Sequence, residues 1–301
     1  MPAELGERLT AGPSDPPEHH VRVALDTRLR ALLAHDAGTR SGVDPEDLHQ
    51  MRVAVRRMRA VLRAARPLLD RAWADGLRAK LGWLGRALGP VRDLDVLLAR
   101  LHGEAAELGG HDAVAGERLL AALRGERTAA RIVLLEAMGS DRYVALLKAL
   151  ADAVAQPLPV SPTNGDRPEL TALVATAFSR LRKAVRAAGD DPPDPVLHEL
   201  RIHGKRLRYT AELAEPALGA PVRGLLKATI AMQDLLGDHQ DACVAQERVR
   251  ALLAGLGAAA GTDVAFAAGR LVEREEVRRA EKRDAWPAAW KAVQRAAREW
   301  R

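Results

Sequence analysis

Histidine and arginine recur along one short stretch at intervals of three and four: His49, Arg52, Arg56, Arg59 and Arg63. At about 100° per residue these positions share a helical arc of about 80°. Met51, Val55, Met58, Leu62 and Leu69 fall on a separate apolar stripe that must face a core. His198, Arg201, Lys205 and Arg208 repeat the cationic arc, until Glu212 takes the fifth place. Arg57 and Arg206 lie off the arc, with stems long enough to reach a shared groove. No Asp or Glu separates His49 from Arg66, although like charges at this spacing cost a helix a few tenths of a kcal/mol per pair. Such rows suit a polyanion, because a guanidinium offers a planar fork of donors matched to phosphate oxygens. The histidines can be neutral or charged donors there: neighbouring cations lower their pKa and a phosphate raises it.

The rows need helices to hold them, and the composition supplies helix formers. Of the residues, 48% are hydrophobic and only 3% aromatic, with Ala and Leu dominant and β-branched residues sparse. Apolar positions recur every three or four residues and strand-like alternation is absent. The expected helices run near 18–37, 45–69, 72–88, 93–108, 112–137 and 141–154, then near 169–188, 195–215, 221–236, 241–254, 262–283 and 286–300. Residues 1–17, rich in Pro, Gly and acids, read as a disordered segment. Residues 156–168 carry four prolines and an Asn-Gly turn and read as a linker. The two helical halves are therefore 18–155 and 169–301.

The halves are related by an internal repeat. His49-Gln-Met-Arg52 matches His198-Glu-Leu-Arg201, and Arg56-Arg57-Met58-Arg59 matches Lys205-Arg206-Leu207-Arg208. Leu88-Gly89-Pro90-Val91-Arg92-Asp93 matches Leu236-Gly237-Asp238-His239-Gln240-Asp241, at an offset of 148 residues against 149 for the first motif. Asp44-Pro45 and Asp194-Pro195 each suit a helix start, as N-cap and first helical residue. Arg86 and Arg92 flank a Leu-Gly turn, with Asp93 and Asp241 as caps of the helices that follow. Lys80 and Lys227, at similar distances before the turns, add charge to the same groove. The fold class expected is all-α, with two pseudo-symmetric helical bundles around a basic central groove or pore.

The repeated His-x-x-Arg-x-x-x-Arg/Lys-Arg-x-Arg run, with the downstream Leu-Gly-x-x-Arg-Asp-x-Asp-Val, resembles the CHAD domain, the conserved histidine α-helical domain. The resemblance spans about residues 18–300. It implies two four-helix-type bundles around a basic pore, binding of inorganic polyphosphate, and association with polyphosphate granules. Position by position, it implies binding roles for His49, Arg52, Arg56, Arg57, Arg59, His198, Arg201, Lys205, Arg206 and Arg208. Two departures stand out: Gln240 replaces the arginine found at 92, and Glu212 interrupts the second row. Many CHAD chains carry a neighbouring triphosphate-tunnel domain with a Glu-x-Glu-x-Lys signature. That signature is absent here, so the resemblance implies no such hydrolase activity.

Other functions fit less well. A metal-dependent phosphohydrolase would build on His35-Asp36, with His19, His20 or the acids Asp234, Asp238 and Asp241, but no converging ligand set accompanies them. His49 and His198 are poor metal ligands beside arginines. No phosphate loop, nucleophile elbow or catalytic carboxylate pair occurs, so the expectation is no enzyme, no cofactor and no metal. Against nucleic acid stand nine aromatics in all, none in the first row and only Tyr209 beside the second. Arg124, Arg127 and Arg131 form a further row that reads as a solvated face. With one cysteine, no apolar run long enough to span a membrane and no secretory pattern, the chain reads as cytoplasmic. Nothing in the sequence sets the oligomeric state.

Overall fold

Alanine- and leucine-rich segments with a three-to-four period bury one stripe each, and the computed structural model, which describes residues 5–161 and 169–300, is built of such helices. They are α1 (Pro17–Ala34), α2 (Asp36–Ser41), α3 (Pro45–Ala64), α4 (Arg71–Leu108), α5 (Gly110–Gly139), α6 (Asp141–Ala155), α7 (Leu170–Ala188), α8 (Asp194–Leu218), α9 (Ala220–Leu256) and α10 (Gly261–Trp300). A single 3-10 turn, Gly257–Ala260, joins α9 to α10. The all-α expectation holds among the described residues, apart from one isolated antiparallel bridge between Leu69 and Val160. That bridge, with Asp70 N donating to Pro159 O at 2.9 Å, ties the start of the expected linker to the α3–α4 connection. Residues 162–168 of the linker lie outside the described residues.

The helix count differs from the expectation in an instructive way. The Leu-Gly segments at 88–89 and 236–237 are not turns: α4 and α9 run straight through them, and α10 likewise spans the break expected near 284. Pro90 sits inside α4, and the Gly89 carbonyl accepts a hydrogen bond from Arg52 Nη1 of α3 at 2.6 Å. The glycines serve close approach instead. A Cβ on Gly89 would lie 3.4 Å from Arg52 Nη1, and one on Gly82 or Gly85 would lie 3.6 Å from the Arg59 guanidinium. Asp93 and Asp241 are therefore mid-helix residues and not caps. Asp44 does cap α3, accepting from Glu46 N at 2.8 Å, whereas α8 starts one residue earlier than expected, with Pro193 as its N-cap and Asp194 inside the helix.

Residues 5–16 are also more ordered than composition predicts. Leu9 N donates to Asp26 Oδ2 at 3.1 Å, and Arg30 Nη2 donates to Gly6 O at 2.6 Å. Asp26 is 1% exposed and also pairs with Arg30, so this buried carboxylate anchors the leader on α1. Residues 1–4 lie outside the described residues.

Helix α3 packs on α1 and α4, α8 packs on α7 and α9, and α3 and α8 meet each other. The sequence halves share their burial. The larger apolar core mixes Leu25, Met51, Met58 and Leu84 with Leu181, Leu207, Trp290 and Val293. The second joins Leu101, Leu119 and Leu123 of α4 and α5 to Val249, Val264 and Leu271 of α9 and α10. One stretch within Ala220–Trp300 is apolar enough to cross a membrane by length and composition. It belongs to no single rod: left-handed glycines at 257 (φ 52°) and 261 (φ 75°) fold α10 back along α9.

Candidate functional site

Burying Met51, Val55, Met58 and Leu62 fixes the roll of α3, and burying Leu197, Leu200, Leu207 and Ala214 fixes that of α8. The opposite faces carry the cationic rows, and the contact between α3 and α8 brings those rows together. They meet in a cavity of about 480 Å³ lined from α3 by Arg56, Arg59, Arg63 and, just beyond its end, Arg66. Helix α8 contributes His203, Lys205 and Arg206, α4 contributes Arg71 and Arg78, and α7 contributes Arg180. Ala60, Ala64, Leu173, Ala177 and Ile202 are its apolar lining. A second cavity adjoins it, sharing Arg59, Arg66 and Arg78 and adding Arg86.

The charge balance inside is one-sided. Among the described residues the sole carboxylate lining either space is Asp75, and it is held by Arg66 and Arg78, each at 2.8 Å. Among the described residues no carboxylate pairs with Arg56, Arg59, Arg63, Arg180, Lys205 or Arg206. Arg206 Nε and His203 Nδ1 are buried without hydrogen-bond partners. Elsewhere many guanidinium groups are used by the fold: Arg100 and Arg278 on Glu275, Arg274 on Glu104, Arg127 on Asp95, Arg279 and Arg283 on Asp194.

The protonation equilibria register the same crowding. Burial, then Arg206, Arg78, Arg180 and Arg59, holds Arg63 below its ordinary value, and no acid offsets them. Burial lowers Arg56 as well, although its side chain remains open to solvent, which is how a group on the wall of a concave site behaves. Burial, with Arg201, Arg56 and Arg52 behind it, pushes the Lys205 ammonium down to about 8. Burial and Arg206 likewise depress His203.

The residues singled out from sequence divide into four groups. Arg56, Arg59, Arg63, Lys205 and Arg206 line the cavity. His49, Arg52, His198 and Arg201 lie nearer the helix starts, against the middles of α4 and α9. There Arg52 Nη2 pairs with Asp93 at 2.9 Å, and His198 Nδ1 meets Gln240 Oε1 at 2.7 Å. His49 has Arg92 where His198 has Gln240, and burial followed by Arg92 lowers its pKa. Asp241, which faces Arg201, is raised by burial. Arg57 and Arg208 both turn to Glu212, at 3.6 and 2.9 Å. Lys80 and Lys227 are exposed and line neither cavity.

Arg66, Arg71, Arg78, Arg180 and His203 were not singled out. Arg66 continues the three-residue step from Arg63 and was legible on that ground. Arg78 is two residues, about 200°, from Lys80, so the face of α4 that lines the cavity is opposite to the one that carries Lys80. Arg180 and His203 carry no comparable signal. Arg124, Arg127 and Arg131 pair with Glu117, Asp95 and the carbonyls of Thr39 and Arg40.

Among the described residues one group of three possible metal ligands converges, Asp194, His239 and Cys243. Its chemistry opposes a divalent cation, because Arg279 and Arg283 occupy both Asp194 oxygens and burial lifts the Cys243 thiol to about 11. His35 and Asp36 serve the fold: His35 Nδ1 meets Asp47 at 2.7 Å, and Asp36 holds Arg40 and the Tyr143 hydroxyl.

A profile of the CHAD domain matches residues 23–250. Two uncharacterised proteins from two strains of Mycobacterium tuberculosis are each 35% identical over 257 residues, covering 80% of this chain. The chain spans 47% of the length of each, about half. Among solved structures, PptA from Streptomyces chartreusis superposes with a TM-score of 0.74 at 24% identity, over 92% of this chain and all of that one, a likeness of fold alone. The CHAD domain of the plant Ricinus communis gives 0.70 at 28% identity, over 96% of both chains.

Proposed function

The chain belongs to the CHAD domain family, and from that premise we propose that it binds inorganic polyphosphate between α3 and α8. One observation carries the reading: six cationic side chains, Arg56, Arg59, Arg63, Arg180, Lys205 and Arg206, converge on one cavity with no carboxylate paired to them. Gathering such charge costs stability, and a polyanion offsets that cost. A linear chain of phosphates suits the lining better than nucleic acid does, since Tyr209 is the one aromatic there and is 8% exposed, too covered to stack a base. Arg66, Arg71, Arg78 and Arg86 extend the path, while His49, Arg52, His198 and Arg201 form a second, shallower set. The similar surroundings of α3 and α8 support the reading of an internal repeat with the groove between its halves. The protein is a binder and not an enzyme in this proposal, acting in the cytoplasm at polyphosphate granules.

Titration with long-chain polyphosphate, single-stranded RNA and pyrophosphate at several salt concentrations tests it. The expected order places long polyphosphate first. Taking the single-strand coefficient of roughly 0.7 per contact, six contacts give a log–log salt slope of about −4. Equal or tighter binding of RNA overturns the proposal.

A further inference from the structure

The two cationic rows part company at their fourteenth residue after the histidine. In α3 that place holds Arg63, and in α8 it holds Glu212. Eight residues after each histidine stand Arg57 and Arg206. The contacts follow the same correspondence. Arg63 has Arg206 among its nearest charges, with Arg180 of α7 close by. Glu212 meets Arg57 at 3.6 Å, and the charges felt by Arg28 of α1 are those of Arg57 and Glu212. Helix α1 packs on α3 as α7 packs on α8. What is an unpaired cationic cluster on one side is therefore a neutralised cluster on the other, where Glu212 also accepts from Arg208 Nε at 2.9 Å.

We propose that Glu212 is a built-in counter-ion that closes one end of the anion site and thereby limits the length of polyphosphate it covers. This rests on the polyphosphate reading of the same site. Glu212 stands where a further phosphate would stand between Arg57 and Arg208. A bound chain is confined to the Arg63–Arg206 side and leaves over Arg78 and Arg86. Removing the carboxylate charge frees Arg57, Arg208 and Arg28 for additional phosphates, which only a chain long enough to reach them can supply.

The test uses the full chain carrying Glu212→Gln, titrated with tripolyphosphate and with a polyphosphate of about a hundred units, beside an Arg63→Gln/Arg206→Gln variant. For Glu212→Gln the expected result is at least a tenfold gain in affinity for the long chain, more phosphates covered per protein, and a salt slope steeper by about 2 for three added contacts. Tripolyphosphate affinity stays within about twofold. Unchanged long-chain affinity overturns the inference, and so does an equal gain for both ligands, which marks a bulk charge effect. The arginine variant separates the two failures. If it loses binding while Glu212→Gln is unchanged, only the counter-ion role falls; if it binds like the wild type, the site itself is wrong. Should Glu212→Gln not fold, Glu212→Gln/Arg57→Gln removes one of the cations that Glu212 neutralises together with the carboxylate and leaves Arg208 free for the ligand. It should still gain at least threefold for the long chain alone, and no gain overturns the inference equally.

Discussion

Replacing Arg63 and Arg206 together by glutamine should weaken polyphosphate binding and stabilise the unliganded protein. The charges surrounding Arg63 are Arg206, Arg78, Arg180 and Arg59, all cations. Relieving like-charge contacts is worth a few tenths of a kcal/mol each, so the pair of substitutions should return about 1 kcal/mol. That corresponds to a rise in melting temperature of roughly 2 °C for a chain of this size. Binding moves the other way. A hydrogen bond to a charged group contributes about 1.5–3 kcal/mol, and Arg63 is open to solvent, so the lower figure applies. Two such losses give about 3 kcal/mol, or roughly a hundredfold in dissociation constant. The salt slope should become shallower by about 1.4. Calorimetric titration at three salt concentrations and a thermal melt without ligand measure all of this. A variant that melts lower and binds unchanged would refute the reasoning, because it would make the two arginines structural.

Lys205 gives a pH signature. Its ammonium sits at about 8 in the folded protein against an ordinary 10.5, and a polyanion should move it back up. Affinity should therefore fall as pH rises from 8 towards 10, with proton uptake on binding in that window. The stability of the free protein should rise over the same interval, since the unfolded chain then holds the proton that the folded one has lost. Lys205→Arg should abolish both trends, and calorimetry in buffers of different ionisation enthalpy reads the proton count. Glu275 of α10 is wholly buried, ties that helix to α4 through Arg100 at 2.7 Å, and also meets Arg278 of its own helix at 3.3 Å. Glu275→Gln strands the Arg100 guanidinium, while Arg278 keeps Glu104, and should cost about 3 kcal/mol in denaturant unfolding. A loss below 1 kcal/mol would show the network to be dispensable.

Much of the site was legible because two periodicities coincide on α3 and α8. The apolar stripe fixes the roll of each helix, so residues on the opposite arc had to share a face. Four residues found in this way, Arg56, Arg59, Arg63 and Lys205, line the cavity, and Arg206, which lies off the arc, reaches it as well. Three kinds of information lay outside that logic. Glycine at 89 reads locally as a turn, yet its use, like that of the glycines at 82 and 85, is to let Arg52 and Arg59 lie across α4, which depends on a neighbour distant in sequence. The leader reads as disordered from composition, but a single buried carboxylate, Asp26, organises it. Whether an arginine is free or spent is invisible in one dimension: Arg57 and Arg208 look like Arg63 and Arg206 until Glu212 is placed between them.

The shared second core has a consequence for the chain as it is made. Leu101, Leu119 and Leu123 emerge from the ribosome well before Val249, Val264 and Leu271, which cover them. A nascent chain that ends with α6 thus presents a leucine-lined surface with no native cover, and closure waits for the last third of synthesis. Contacts so remote in sequence slow folding and lengthen the time during which that surface can recruit another chain. Truncation after residue 155 should yield an aggregating fragment and not a half-size domain, and a holdase chaperone would find its target along α4 and α5 during translation.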